Sequence, residues 1–270
     1  MSLVKSDWLE NNLSEVKIID CSWHMPGIDR NPEDEYSKNH IPGAIFFDLD
    51  KNSDQDTDLP HMLPTKEKWE EIVSSMGISN TDRIVIYDNS DVLSSCRGWY
   101  NFIYFGHDKH LVSVLDGGLK KWLKEKKDTT KNIKKFQKSS YLAHENTSLV
   151  LNKDQIIANI KNKSFELIDA RGRKRFLGLE PEARKELRSG NIEGSRNMPF
   201  TELVNSNDRT FKKKEELISI FEKNKIDPSK KIAFTCGSGI TACVLGLTNS
   251  IISGKKPVVY DGSWAEYGIK

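Results

Sequence analysis

Hydrophobic and polar positions along the chain predict short strands separated by amphipathic helices. Apolar, often β-branched runs predict strands at 17–20, 44–47, 83–88, 111–115, 165–169, 194–197, 231–236 and 257–260. Patterns of helical period predict helices at 66–76, 92–105, 117–125, 153–162, 213–223 and 240–252. Strands that alternate with helices are typical of parallel sheets, in which functional sites lie at the carboxyl ends of the strands.

The pattern of the first half recurs in the second. Ile18-Ile19-Asp20 is matched by Leu167-Ile168-Asp169, and the segment 84–88 is matched by 232–236. The turn at 40–43 recurs at 191–194, and the segment 114–118 recurs at 259–263. These matches keep their order and nearly the same offset, so they indicate a tandem duplication. The fold class expected is α/β, with two tandem domains that each hold a small parallel sheet flanked by helices.

The composition between the halves changes to Lys, Asn, Ser and Thr. This change predicts an N-terminal domain over 1–126, an exposed linker over 127–148 and a C-terminal domain over 149–270. Each half is then long enough to bury a core of its own.

The charge balance excludes several classes of protein. Lys and Arg number 41 against 39 Asp and Glu, and they are spread along the chain, so no nucleic-acid partner is expected. The four cysteines form no CxxC pair, which argues against structural zinc and against a disulfide-stapled secreted domain. The N-terminus lacks an apolar signal-peptide core, so we expect reduced thiols and a cytoplasmic location.

One uncharged stretch, from Ile232 to Ile252, is long enough to span a bilayer. Its glycines and its Ser, Thr and Asn residues dilute the hydrophobicity. A buried strand followed by a buried helix is therefore expected, with no membrane segment.

The candidate chemistry lies at the end of the strand that precedes Cys236. The loop Cys236-Gly237-Ser238-Gly239 separates this strand from a predicted helix, and its glycines permit tight positive-φ geometry. Backbone N–H groups and a helix dipole at such a loop favour an anion, so Cys236 is expected to be a nucleophilic thiolate. Cys243 is interpreted as a buried structural residue. The first-half counterpart of Cys236 is Asp88, so only the second half is expected to be catalytic.

The duplication, the Cys-Gly-Ser-Gly-Ile-Thr-Ala loop and the ending Tyr-Asp-Gly-Ser-Trp at 260–264 resemble two-domain rhodanese-type sulfurtransferases. The loop is similar to that of the 3-mercaptopyruvate sulfurtransferase branch. The resemblance implies two rhodanese domains and a Cys236 persulfide that carries sulfur from 3-mercaptopyruvate to a thiol or cyanide, releasing pyruvate. It implies a thiol acceptor such as thioredoxin or a low-molecular-weight thiol, with no metal and no organic cofactor. We expect a monomer, because the paired halves can bury each other's faces.

The resemblance also implies roles for individual residues. Ser238, His61 and Asp50 match a proton relay, and Arg175 and Arg184 match the two arginines that hold the substrate. The remaining loop positions expected to bind the substrate are Gly237, Gly239, Ile240 and Thr241. The segment around the arginines departs from the family pattern at Lys174, Leu179 and Ala183.

Three other functions compete with this prediction. A thiosulfate donor would favour basic residues after the cysteine, and Gly237 and Ser238 are neutral, so mercaptopyruvate is expected to be preferred. A phosphatase would need an arginine to close the loop, and the sixth residue after Cys236 is Ala242. A non-catalytic binding or sensing module would leave Cys236 dispensable.

Overall fold

A computed structural model describes residues 2–270, which divide into two compact units. The first unit comprises residues 2–55, 63–146 and 207–210, and the second comprises 56–62, 147–206 and 211–270. Each unit is built on one parallel sheet of five strands.

The first unit alternates strands with helices from its start. In chain order its elements are β1 (Leu3–Val4), α1 (Ser6–Glu10), β2 (Lys17–Asp20), α2 (Pro32–Lys38), β3 (Ala44–Phe46), α3 (Lys66–Ser75), β4 (Ile84–Tyr87), α4 (Ser95–Tyr104), β5 (Val112–Leu115) and α5 (Gly118–Lys124). The strands lie in the order β1-β5-β4-β2-β3. The central strand β4 is buried along its whole length, as expected of a parallel sheet covered on both faces.

The second unit repeats this arrangement. Its elements are β6 (Val150–Leu151), α6 (Lys153–Asn162), β7 (Glu166–Asp169), α7 (Arg173–Phe176), β8 (Arg196–Asn197), α8 (Lys214–Lys223), β9 (Ile232–Thr235), α9 (Thr241–Ser253), β10 (Val259–Tyr260) and α10 (Ser263–Tyr267), with 3-10 turns at Thr147–Leu149 and Phe200–Leu203. The strand order β6-β10-β9-β7-β8 reproduces that of the first unit.

The expected α/β architecture, a tandem pair of parallel sheets flanked by helices, is confirmed. The predicted start of α3 is also correct, because the Thr65 hydroxyl accepts the N–H of Lys68. Gly77, the predicted stop, follows the helix with φ of +68°. The pattern missed short elements such as α7 and α10, which are too brief to show a helical period.

Two further expectations concern the predicted linker and the uncharged stretch. Residues 127–146, expected to be an exposed linker, cluster with the first unit, and Tyr141 and Ala143 are buried there. The uncharged stretch from Ile232 to Ile252 forms β9 and all of α9 but its last residue, as expected. Within residues 2–270, the helices are all too short or too polar to cross a bilayer.

Asp20, at the end of β2, is a buried carboxylate without the arginine that its counterpart has. Its Oδ1 accepts the N–H and the hydroxyl of Ser22. In the second unit the equivalent Asp169 pairs with Arg171 at 2.7 Å. Burial raises the pKa of Asp20 from 3.8 to about 6, and the nearby negative charge of Asp88 adds to the rise.

Replacing Asp20 by Asn is expected to stabilise the chain at neutral pH. The rise of this pKa from 3.8 to about 6 corresponds to a gain of about 3 kcal/mol in the free energy of unfolding. Because the folded pKa lies above the unfolded value, wild-type stability falls as the pH rises from about 4 to about 6. The gain should therefore be complete above about pH 7 and vanish near about pH 4.

Urea unfolding of the full chain at several pH values measures this difference. Asp29→Asn is the control, because Asp29 is an exposed carboxylate of the same unit. A gain from Asp20→Asn that does not change with pH would contradict the explanation.

Candidate active site

The central strand of the second sheet brings Cys236 to the carboxyl end of the sheet. β9 lies between β10 and β7 and is buried throughout, and Cys236 is the next residue. The helix α9 begins five residues later at Thr241, with Ile240 at its N-cap. The cysteine is only 2% exposed, so it sits within the loop and not on the open surface. This is the position at which parallel sheets place reactive groups.

The carbonyl groups of the cysteine loop are held by the backbone of α10. The N–H of Trp264 donates to the Cys236 carbonyl at 3.0 Å, and the N–H of Ala265 donates to the Gly237 carbonyl at 2.8 Å. Every peptide bond described is trans, and in a trans peptide the C=O and the following N–H point in opposite directions. The N–H groups of Gly237 and Ser238 therefore point away from α10. Two parallel donors beside a helix N-terminus make a cradle for an anion.

Ser263 completes this anchorage at a strained backbone position. It is fully buried with φ of +50°, a left-handed conformation unfavourable for a residue with a side chain. Its Oγ accepts the N–H of Cys236 at 3.2 Å and its hydroxyl donates to the Tyr260 carbonyl at 2.8 Å. In the first unit the same position is Gly118, with φ of +55°. We infer that the serine is kept because its hydroxyl orients the peptide that precedes Cys236.

The first unit keeps this loop but fills it with an anion of its own. The carbonyl of Asp88 accepts the N–H of Leu119 at 2.9 Å, as the Cys236 carbonyl accepts that of Trp264. The Asp88 carboxylate accepts the N–H groups of Ser90 and Ser95, each at 2.9 Å. Burial raises the pKa of this carboxyl. The internal copy thus shows that the N–H groups of this loop can hold an anionic group.

Ser238 and His61, which the resemblance assigns to one proton relay, lie close together. Both belong to the second unit and both are buried. His61 Nδ1 is 3.0 Å from Ser238 Oγ and 3.1 Å from the Ser238 carbonyl oxygen. In one tautomer Nδ1 accepts the serine hydroxyl proton, and in the other it donates to the carbonyl. The pair can therefore take up and return a proton.

The other predicted site residues lie in different surroundings. Asp50 belongs to the first unit, where its two oxygens accept the indole N–H of Trp23 at 3.0 and 3.1 Å. Arg184 is half-buried on the loop between α7 and β8. Gly239 has φ of +78°, whereas Gly237 has no left-handed backbone angle, so only one of the two loop glycines uses that freedom. The roles of these residues stay predictions.

Arg175 reaches the cysteine loop from α7. A methyl group placed on Gly237 would lie 3.4 Å from Arg175 Nη2. The Arg175 side chain is 27% exposed, and its guanidinium forms an ion pair with the buried Glu182. The three departures from the family pattern, Lys174, Leu179 and Ala183, are all exposed. Within the described range, His, Cys, Asp and Glu side chains form no group of three suited to a metal ion.

Sequence reasoning missed two residues of this site. The sequence predicted no role for Ser263. Alignment of the two halves does pair it with Gly118, so the two copies differ at this position. The sequence predicted no role for Glu182, which is one of several carboxylates near Arg175 and Arg184. A sequence pattern does not show which of several carboxylates in such a segment becomes buried.

Comparison with known proteins places this arrangement among relatives. A family model for the rhodanese-like domain matches residues 5–125 and 152–270. Thiosulfate/3-mercaptopyruvate sulfurtransferase 2 of Arabidopsis thaliana is 39% identical over 98% of this chain and 83% of its own length. The 3-mercaptopyruvate sulfurtransferase of Mus musculus is 38% identical over 98% of this chain and 91% of its own length.

A solved structure agrees with these sequence relatives. The crystal structure of SseA from Escherichia coli, a 3-mercaptopyruvate sulfotransferase with the rhodanese fold, is similar with a TM-score of 0.87 and 32% identity. The match covers 98% of this chain and 100% of that chain.

Replacing Ser263 by Gly is expected to slow the reaction of Cys236 while preserving stability. Glycine adopts the left-handed conformation freely, and this gain offsets the hydrogen bonds lost with the hydroxyl, so the melting temperature should stay near the wild-type value. Loss of the hydroxyl should slow alkylation of Cys236 by about fivefold, the scale of one hydrogen bond. Timed iodoacetamide labelling with intact-mass detection, together with calorimetry, measures both effects.

The matched variant is Ser263→Ala, which keeps the left-handed strain and also lacks the hydroxyl. It should lose both stability and alkylation rate. If Ser263→Gly reacts at the wild-type rate, the hydroxyl does not orient the loop.

Proposed function

Because this chain belongs to the rhodanese family of sulfurtransferases, we propose that it transfers the sulfane sulfur of 3-mercaptopyruvate through a persulfide on Cys236 and releases pyruvate. The observation that carries the proposal is that the two copies of the loop have different residues at one position, Asp88 in the first unit and Cys236 in the second. Where the first unit has an Asp88 carboxylate bound by loop N–H groups, the second has a cysteine with its loop carbonyls turned away. A thiolate, and then a persulfide anion, suits that cradle.

The first step breaks the carbon–sulfur bond of the donor. The Cys236 thiolate attacks the donor sulfur, an S–S bond forms, and the electron pair of the C–S bond moves to carbon as the enolate of pyruvate. A proton must then reach the methylene carbon. The Ser238 hydroxyl, 3.0 Å from His61 Nδ1, is the group we assign to this transfer. The resemblance assigns Asp50 to the same relay, and that role stays a prediction.

The donor carboxylate requires cationic, planar recognition. Arg175 meets the cysteine loop at Gly237 and offers fixed N–H donors for a carboxylate. Arg184 is proposed as the second cationic contact, and the loop residues Gly239, Ile240 and Thr241 as the wall that closes the site. The backbone donors and the start of α9 stabilise negative charge on the enolate and the persulfide.

The second step returns the enzyme to its starting state. An acceptor thiolate attacks the outer sulfur of the persulfide, and Cys236 leaves as the thiolate. Because Cys236 is 2% exposed, the acceptor must present a narrow nucleophile. Thioredoxin, a low-molecular-weight thiol and cyanide all meet that condition. We infer that the enzyme acts as a monomer in the cytoplasm, as its sequence predicts.

Thiosulfate is the second candidate donor, favoured by the double name of the Arabidopsis relative. It is a dianion, and its leaving group is sulfite. The loop beside Cys236 provides two neutral residues, Gly237 and Ser238, and the charge of Arg175 is balanced by Glu182. We therefore infer that thiosulfate is the poorer donor.

Exposure to mercaptopyruvate is expected to add one sulfur atom to the protein. Intact mass should rise by about 32 Da in the wild type and not in Cys236→Ser, because the persulfide forms on that sulfur. Cys243→Ser is the matched control, since Cys243 is a buried cysteine whose thiol donates to the Gly239 carbonyl. It should still gain the sulfur. Retention of the gain in Cys236→Ser, or its absence in the wild type, would refute the proposal.

Replacing Arg175 by Ala is expected to weaken donor binding more than it slows turnover. KM for mercaptopyruvate should rise about tenfold, because one charge-assisted pair to the carboxylate is lost. Alkylation of Cys236 by iodoacetamide, a neutral reagent, should stay near the wild-type rate. Arg173→Ala is the control on the same helix, since Arg173 is exposed and pairs with Glu202. An unchanged KM would remove Arg175 from the binding site.

A further inference from the structure

Arg175 is held by a carboxylate that a second arginine holds in turn. Arg175 Nε and Nη2 both donate to Glu182 Oε2, with Nε at 3.1 Å. Glu182 Oε1 accepts from Arg171 Nη1 at 2.7 Å, and Arg171 also donates to both oxygens of Asp169. The side chains of Glu182, Arg171 and Asp169 are each 1% exposed. Glu182 is therefore fixed from behind, and Arg175 takes its position from it.

This contact decides which edge of Arg175 meets the loop. A guanidinium has five N–H donors in one plane, and Glu182 takes up two of its nitrogens. The donors that remain lie on the other edges of the plane. Nη2, which Glu182 holds, is also the atom nearest to a methyl group built on Gly237. Glu182 therefore fixes the position of the Arg175 side chain and determines which of its N–H donors point away from that carboxylate.

The cluster also has no surplus positive charge. Two carboxylates, Asp169 and Glu182, balance Arg171 and Arg175. Arg175 therefore offers directed hydrogen bonds to a bound anion while Glu182 reduces the net attraction. In a poorly hydrated site the second charge of a dianion is repelled by that carboxylate, and this cluster supplies no further cation to balance it. A monoanion with a planar carboxylate has no second charge, so Glu182 repels it less.

The first unit repeats the arginine–glutamate pair on its own loop. Arg30 donates to Glu35 through Nε and Nη2, each at 2.6 Å, and Nη2 also donates to the Asn89 carbonyl at 3.0 Å. Asn89 corresponds to Gly237, and its side chain donates to Glu35 at 2.8 Å. An arginine–glutamate pair therefore lies against this loop position in both units. Only the second unit has a glycine there, which leaves the arginine uncovered by a loop side chain.

We propose that Glu182 is a specificity-determining residue, which positions Arg175 and offsets its charge so that the site favours a monoanionic α-keto acid donor over a dianionic one. This inference rests on the proposed function. At neutral pH mercaptopyruvate is mainly a monoanion, since a thiol is then mostly protonated, whereas thiosulfate is a dianion. Glu182 acts through Arg175 and needs no contact with the donor.

The test compares three variants of the full chain at pH 7. E182Q removes the charge, E182D keeps the charge but shortens its reach, and E180Q is the matched control. Glu180 lies two residues away in an exposed pair with Lys174. For each protein, kcat and KM are measured with mercaptopyruvate and with thiosulfate, and circular dichroism checks the fold.

The expected outcomes separate charge from position. E182Q should raise the ratio of kcat/KM for thiosulfate to that for mercaptopyruvate about tenfold, because lost negative charge favours a dianion most. E182D should raise KM for both donors and leave that ratio within about twofold, because its charge is kept. E180Q should match the wild type. If E182Q does not fold, E182D with wild-type KM values overturns the positioning role.

A wild-type donor ratio in folded E182Q, or an equal change in E180Q, would overturn the proposal. Failure of the proposed function gives a different result, namely no persulfide on the wild type with either donor. In that case, titration calorimetry with pyruvate and with sulfate still measures the role of Glu182. E182Q should then gain affinity for sulfate relative to pyruvate, and an unchanged preference would refute the inference.

Discussion

Two hydrogen bonds from the backbone of α10 to the carbonyls of Cys236 and Gly237 orient the loop on which the proposed chemistry depends. With those carbonyls engaged, the following N–H groups face the opposite side, and the cysteine lies beside the N-terminus of α9. The anchoring helix is itself held by Trp264. Its indole donates to the Arg188 carbonyl at 2.9 Å, and Arg171 and Arg188 stack on its ring at 4.4 and 4.6 Å. One tryptophan therefore joins the cysteine loop to the buried charges that position Arg175.

The two copies of the loop share their backbone arrangement and differ in a few side chains. Both copies keep the strand, the turn and the carbonyl anchor. In the first, Asp88 supplies a carboxylate to the loop N–H groups, so the cradle is already filled. In the second, Cys236 occupies the corresponding sequence position, and Ser263 adds a hydroxyl where Gly118 has none. Under the proposed function, the charge that Asp88 supplies in the first copy is supplied in the second by a bound donor.

The periodic signals in the sequence located most of the architecture. The apolar runs around β4 and β9 predicted buried parallel strands because both faces of such a sheet are covered. The match between the two halves predicted the tandem arrangement and marked Asp88 against Cys236. Short helices such as α7 were missed, because four residues cannot display a helical period. Their positions follow from the packing of the loops around the sheet.

The sequence by itself determined where Cys236 must lie, because a cysteine between an apolar strand and a helix can only emerge at the carboxyl end of the sheet. It also determined that one copy of the loop lacks that cysteine. Tertiary structure decided which side chains meet the cysteine. His61 reaches Ser238 across 177 positions of sequence, and Ser263 reaches Cys236 across 27. It also decided that Glu182, among the carboxylates of a charged segment, is the one buried against two arginines. Such choices depend on which groups lose contact with water together, and burial is a property of the folded chain rather than of any local pattern.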